Sequence, residues 1–201
     1  MSKTLLVDGN NLLKIGFHGV REFYHNGKHV GGVWHFLNTL RKFLEEHNYN
    51  KVVVFWDSKT SSSQRRLIYP KYKLNRKPSE SEQKEESFYE QKQRVREYLE
   101  EMFVRQLETE HAEADDLIAM EATRLGPETI IASIDKDFKQ VPCVHYNFNT
   151  DVWASVEEWD GLKYFYEQIL TGDDVDNIKG LYRVGPVKAQ KLLEGSSTEE
   201  D

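Results

Sequence analysis

Three short apolar runs lie far apart in the chain, and each stops at an aspartate. Residues 4–7 predict a buried strand ending at Asp8, residues 51–56 a second ending at Asp57, and residues 129–134 a third ending at Asp135-Lys136-Asp137. Between the runs the apolar period changes. Gly9-Asn10-Asn11 reads as a turn, residues 12–15 open a helix, and residues 16–30, rich in Gly and His, read as loop. Val33, Phe36, Leu37, Leu40, Phe43 and Leu44 recur at helical spacing and predict an amphipathic helix over 31–47. Ser61-Ser62-Ser63 offers a cap for a short helix, and Pro70 and Pro78 break the stretch that follows. Residues 87–106 predict a long charged helix with Phe88, Val95, Tyr98, Leu99, Met102 and Phe103 on one side. A helix over 113–125 stops at Gly126-Pro127. Residues 144–148 and 152–154 are short strands near a sheet edge, 161–170 a helix and 186–193 a short helix. The polar end, 195–201, is expected to be disordered.

Strands that alternate with helices predict an α/β fold with a mostly parallel central sheet and helices on both faces. Ligands in such sheets bind beyond the carboxyl ends of the strands. Asp8, Asp57 and Asp135 each fall just past one such end, so three acids that are distant in sequence are placed on the same sheet edge.

Composition changes this picture in two places. The 201 residues suffice for one sizeable core with an appendage. No apolar run reaches membrane-spanning length, residues 4–7 are too short for a signal peptide, and the lone Cys143 excludes a disulfide framework. No membrane association and a reducing cytoplasm, bacterial or phage-infected, are expected. The net charge of −7 hides a segregation: Lys59, Arg65, Arg66, Lys71, Lys73, Arg76 and Lys77 occur with no acid among them, followed by Glu80, Glu82, Glu85, Glu86 and Glu90. A phosphate backbone responds to the local patch rather than to the average. His18, His25, His29 and His35 lack ligand spacing and read as surface or core residues.

Glu113-Ala114-Asp115-Asp116 packs three carboxylates into four residues at a helix start. Like charges repel at this range, and a hard divalent cation relieves the repulsion through carboxylate oxygens. With Asp8, Asp57, Asp135/Asp137 and Asp173/Asp176, the chain carries enough oxygens for two metal ions ~4 Å apart. Such a pair activates a water and stabilises charge on a phosphate, so no Ser, Cys or His nucleophile is required, and none stands in a convincing arrangement. Each acid alone could be a cap or turn residue; their coincidence at three strand ends favours the metal reading.

These motifs resemble the 5′-nuclease superfamily, the flap endonuclease and 5′-3′ exonuclease group of phages and bacterial polymerases. Leu6-Val7-Asp8-Gly9-Asn10 and Phe55-Trp56-Asp57 look like its first two acid-bearing strands. Arg65 with Tyr72-Lys73-Leu74-Asn75-Arg76 is similar to the basic signature at the base of its arch. Glu113-Ala114-Asp115-Asp116, Ser133-Ile134-Asp135-Lys136-Asp137-Phe138 and Gly172-Asp173-Asp174-Val175-Asp176-Asn177-Ile178-Lys179-Gly180 match three further motifs. The resemblance implies a PIN-like, resolvase-like nuclease core over 1–170 with a short arch region at about 59–108, a helix-hairpin-helix element over 171–194, and a monomer.

The resemblance also implies site roles. Asp8, Asp57, Glu113, Asp115 and Asp116 would serve a first Mg²⁺ or Mn²⁺, and Asp135, Asp137, Asp173 and Asp176 a second. Lys73 and Arg76 would act with Asp115 in catalysis at the scissile phosphate. Arg65, Arg66, Tyr72, Lys73, Arg76, Arg183, Gly185 and Lys188 would contact nucleic acid, and K⁺ would sit at the hairpin of Gly180, Val184 and Gly185. Tyr69 and Tyr72 could stack on bases or pack at the arch base. Arg183 stands where the family usually has glycine, which puts the turn geometry and the K⁺ site in question. The expected substrates are DNA with 5′ ends, flaps or nicks, and RNA/DNA hybrids, with a polymerase or single-strand-binding protein as partner. The alternative is a structure-specific DNA-binding protein with weak or no catalysis.

Overall fold

The apolar runs pair side by side. In the computed structural model, which describes residues 3–47, 49, 51–76 and 81–199, β1 (Thr4–Asp8) lies between β4 (Lys51–Asp57) and β6 (Ile130–Ala132), parallel to both. β5 (Arg105–Thr109) and β7 (Val144–Asn147) extend the parallel sheet outward, and β8 (Val152–Ser155) closes one edge antiparallel to β7. The order is β5-β4-β1-β6-β7-β8, the mostly parallel sheet that the sequence predicts.

Successive strand residues point to opposite faces, and here that parity divides the molecule. Leu5, Val7, Val54, Trp56, Ile130 and Ala132 pack with α1 (Gly9–Gly19), α2 (Gly31–His47) and the inner half of α4 (Glu82–Glu101). Leu6, Val53, Phe55 and Ile131 pack with α5 (Ala114–Leu125) on the other face. Asp8 follows the parity of Leu6, and Asp57 that of Val53 and Phe55. Both therefore fall on the face that carries α5 and the Glu113–Asp116 cluster. Register completes the alignment. Val7 pairs with Ala132, so Ser133 is carried beside Asp8.

Several expectations are corrected. Gly9-Asn10-Asn11 is the first turn of α1 rather than a separate turn ahead of the helix, because the Asp8 side chain accepts the Asn11 N–H at 2.9 Å and caps the helix. α1 runs on to Gly19. Within the expected loop, β2 (Tyr24–His25) and β3 (Lys28–His29) then form a hairpin about Asn26-Gly27, both in the left-handed region. The long charged helix ends at Glu101, not at 106. Phe103 adopts φ 57° and turns the chain, and residues from Arg105 form edge strand β5. The third strand is shorter than expected, ending at Ala132.

α3 (Ser63–Ile68) and the turns of 69–76 carry most of the basic stretch. Lys77, Pro78 and Glu80 lie outside the described residues. From Gln91 the chain is core again: Gln91, Lys92, Val95 and Leu99 are buried. α6 (Glu158–Thr171) packs on the 3₁₀ turn of Lys136–Gln140, and leads through the two-residue strands β9 (Gly172–Asp173) and β10 (Ile178–Lys179) to α7 (Pro186–Leu192). The β9–β10 crossing is closed by glycine. A Cβ on Gly172 would lie 2.2 Å from the Gly180 nitrogen, and one on Gly180 would lie 2.1 Å from the Thr171 carbonyl carbon. In the tail, Trp159 Nε1 donates to the Ser196 carbonyl at 3.1 Å. Among the described residues no helix is long and apolar enough to cross a membrane.

Candidate active site

The strand-end acids and the α5 acids meet at one sheet edge. Asp57 is held by two donors: the Ala114 N–H reaches Oδ1 at 2.8 Å and the Asn10 amide reaches Oδ2 at 2.8 Å. Asp8 accepts from Asn11 N–H and, at 3.1 Å, from Ser133 Oγ. Burial, with the nearby Asp57 charge adding to it, pushes the Asp8 carboxyl up to about 6. Asn10 Oδ1 is buried beside these acids without a partner among the described residues.

Glu113 is the most heavily contacted of the set. Lys73 Nζ donates to both its oxygens at 2.8 and 2.7 Å, Tyr72 OH donates at 2.8 Å and Arg65 Nη1 at 2.7 Å, and Ser62 Oγ adds a further hydrogen bond. Burial works to raise this carboxyl, but the hydrogen bonds from Lys73, Ser62 and Tyr72 outweigh it and hold Glu113 down at about 2. Ser62 therefore bonds to Glu113 and makes no cap to α3. Arg65 also donates to Asp116 at 2.5 Å and stands 3.5 Å from Asp115, so one guanidinium joins all three acids of the cluster. Burial still pushes Asp115 up to about 7, against the opposing pull of Arg65. Ala114 is buried and Leu117 packs beneath.

The second group lies across a cleft of about 690 Å³. Asp115, Asp116, Asp137, Asp173 and Asp176 line it together with Phe138, Phe165, Ile169 and Ile178. Asp137 accepts from Gln168 Nε2 at 2.6 Å, and burial raises its carboxyl. Asp173 pairs with Lys136 at 2.8 Å. Burial works to raise Asp173 as well, but the Lys136 hydrogen bond and the Val175 N–H more than offset it. Asp176 pairs with Arg76 at 2.8 Å and stands 3.9 Å from Lys73 Nζ. Asp135 is exposed and caps its own turn by accepting the Asp137 N–H at 3.0 Å; it does not line the cleft. Among the described residues, no three His, Cys, Asp or Glu side chains are gathered closely enough to hold a metal ion as they stand. The carboxylates are instead drawn onto Arg65, Lys73, Arg76 and Lys136.

The candidate nucleic-acid residues divide by exposure. Arg66, Arg76, Arg183, Gly185 and Lys188 face solvent. Tyr72 does not: it is 3% exposed, and its hydroxyl accepts from Arg65 at 2.6 Å while donating to Glu113. It packs between Arg65 and Glu113 and is not available to stack on a base. Tyr69 donates its hydroxyl to the Asn177 carbonyl at 3.0 Å. Arg183 takes φ 59°, the left-handed conformation that glycine adopts freely, so the expected turn forms with an arginine in it.

Sequence reasoning missed the support beneath Asp57. Lys92 is buried on α4 and donates to the Asp57 carbonyl at 2.6 Å and to Glu108 at 2.9 Å; Arg96 reaches Glu108 at 2.6 Å. Gln91, next to it, accepts the N–H groups of Gly32 and Val33 at 2.8 and 3.3 Å at the start of α2. A signal was present. Residues 88, 91/92, 95 and 99 recur at helical spacing, so both polar residues fall in the apolar stripe of α4.

Residues 3–168 match the family described as 5′-3′ exonuclease, N-terminal resolvase-like domain. A 5′-3′ exonuclease of Buchnera aphidicola is 29% identical over 202 residues, covering 94% of this chain; the chain spans 65% of that relative's length. A flap endonuclease Xni of Shewanella piezotolerans is 31% identical over 206 residues, covering 96% of this chain and 76% of the relative. In structure, the T5 D15 flap endonuclease, solved as a pseudo-enzyme-product complex with DNA and metal ions, superposes with a TM-score of 0.76 at 20% identity, over 95% of this chain and 74% of its own. Its fold is the fold described above. By sequence match over most of its length, the chain belongs to the 5′-3′ exonuclease family, through the resolvase-like domain formed by residues 3–168.

Proposed function

We propose that this protein is a metal-dependent, structure-specific 5′-nuclease that hydrolyses phosphodiester bonds near the 5′ ends of DNA. The observation that carries the proposal is the meeting of two opposite charge sets. Glu113 and Asp116 at the start of α5 accept from Arg65 and Lys73, Asp176 pairs with Arg76, and Asp57 at the end of β4 is tied to the same helix start through the Ala114 N–H. Acids alone would hold cations, and bases alone would hold phosphate. Interleaved at one sheet edge, they suit a phosphate bridged by metal ions.

The donor set fits a hard divalent cation such as Mg²⁺ or Mn²⁺. Asn10 Oδ1, buried and without a partner among the described residues, adds an oxygen beside Asp8 and Asp57 that a metal-bound water would satisfy. Bound metal would supply an activated water and charge stabilisation at the phosphate. Asp8, Asp57, Asp115 and Asp116 would hold one ion, with Glu113 orienting Lys73 and Arg65 at its side. Asp137, Asp173 and Asp176 would hold the other. Lys73 and Arg76 would turn from carboxylates to phosphate oxygens as substrate enters, and the exposed Arg183 and Lys188 would take duplex phosphates.

The test is cleavage of a 5′-labelled flap in Mg²⁺. Asp115→Asn is expected to abolish cleavage while duplex affinity is kept, and normal turnover by that variant refutes the assignment. The alternative, a DNA-binding protein without catalysis, requires that wild-type protein leave flap and nicked substrates intact in Mg²⁺ and Mn²⁺ as it does with chelator.

A further inference from the structure

The arch base and the loop before β10 are distant in sequence and stitched together in space. The Lys73 N–H donates to the Asp176 carbonyl at 3.1 Å. The Asn177 amide donates to the Lys71 carbonyl at 2.7 Å, and the Asn177 carbonyl accepts the Tyr69 hydroxyl at 3.0 Å. The Asn75 amide donates to the Asp174 carbonyl. All four involve a backbone group, so they fix the path of the chain and not only a rotamer. Lys73 and Asn177 both occupy the left-handed region, at φ 56° and 60°. Asparagine visits that region readily; lysine does so only where its surroundings hold it.

Asn177 is used at both its ends, by side chain and by carbonyl, and both contacts hold the residues that lead into Lys73, at Lys71 and Tyr69. It also stands immediately before Ile178–Lys179, the strand that leads into the hairpin with Arg183 and Lys188. We propose that Asn177 is a positioning residue: it transmits duplex binding at the 178–188 hairpin to the backbone of Lys73, so that Lys73 is set for the scissile phosphate only when duplex is held. The proposal rests on the nuclease reading for its consequence, but the mechanical coupling can be tested apart from catalysis.

Two variants each remove one of the Asn177 bonds without disturbing the turn. Asn177→Gly removes the amide and keeps the left-handed conformation available. Tyr69→Phe removes one hydroxyl. The first readout is hydrogen exchange of the 71–76 amides with and without a blunt duplex in chelator, where no cleavage occurs. In wild-type protein, duplex is expected to slow exchange at 71–76 by several-fold. In Asn177→Gly that duplex-dependent slowing is expected to be lost, and in Tyr69→Phe to be weakened. Equal slowing in wild type and Asn177→Gly, or none in wild type, overturns the coupling whether or not the protein cleaves DNA. The second readout is single-turnover flap cleavage. Asn177→Gly is expected to slow it roughly 10- to 100-fold with duplex Kd little changed. In a Lys73→Ala background the same substitution should cost nothing further. Additive losses would mean that Asn177 acts elsewhere.

Discussion

Asn10 donates its amide to Asp57 at 2.8 Å while its own Oδ1 lies buried without a partner among the described residues. An unpaired buried carbonyl costs about 1–3 kcal/mol, so Asn10 is half satisfied by the fold and half reserved. Asn10→Ala removes both the useful bond and the unsatisfied oxygen. Thermal unfolding in chelator is expected to change by no more than about 1 kcal/mol. Mn²⁺ affinity, read by titration, is expected to fall on the order of tenfold, as for residues that orient metal ligands. Unchanged Mn²⁺ affinity would remove Asn10 from the site.

Lys92 is expected to matter for stability more than any exposed lysine. It joins the Asp57 carbonyl to Glu108 from a buried position. Lys92→Met leaves the part-exposed Glu108 with Arg96, and losing hydrogen bonds to a charged group costs about 1.5–3 kcal/mol. For a chain of this size that is a fall in Tm of roughly 3–12 °C. Lys92→Met combined with Glu108→Gln should recover part of the loss; calorimetry of the two variants decides.

The raised carboxyl of Asp8 sets a pH dependence. Its folded value of about 6 lies above the usual 3.8, so the folded protein binds this proton more tightly than the unfolded chain. Stability in chelator should therefore fall as pH rises from about 4 to about 7, by roughly 3 kcal/mol at most. Asp115, raised to about 7, acts in the same direction and extends the window towards pH 8. Glu113, held at about 2, works in the opposite sense, but its contribution is lost only in strong acid. Urea unfolding at pH 5 and pH 8 should show the decline, and Asp8→Asn should flatten it. Mg²⁺ added at pH 8 should restore stability.

Arg183 carries the φ of a glycine on an exposed turn. Arg183→Gly relieves that conformation but loosens the unfolded chain, so Tm should move little. If the guanidinium meets a phosphate, the slope of duplex affinity against salt should drop by about one charge and affinity should weaken for all sequences alike. An unchanged slope would free Arg183 from DNA contact.

Much of the site was legible in the sequence because strand parity and strand ends are local properties. Asp8 and Asp57 follow apolar runs that can only be buried strands, and their shared parity puts them on the α5 face. The parts that escaped are those where a long-range partner overrules local pattern. Arg105 and Gln106 continue a helical charge pattern, but Phe103 breaks the helix and the open edge of β4 takes up the next residues as β5. Lys92 and Gln91 fall in the apolar stripe of α4, but their partners, the Asp57 carbonyl and the start of α2, are distant in sequence and only the fold brings them together. Tyr72 looks like a base-stacking aromatic among basic residues, and only the fold shows that its hydroxyl is committed to Glu113. Asp135 follows the expected strand, but that strand ends at Ala132 and Asp135 is engaged in capping its own turn.

Gly172 and Gly180 oppose each other so closely that neither can carry a side chain. A mutational scan read by activity would score both as essential and invite a role in gripping substrate. Their intolerance is steric, and it would appear equally in a scan read by folded abundance. Positions such as Arg183 and Lys188, by contrast, should be silent for abundance and visible only when DNA is present. The difference between the two scans would thus separate the residues that shape the hairpin from those that use it.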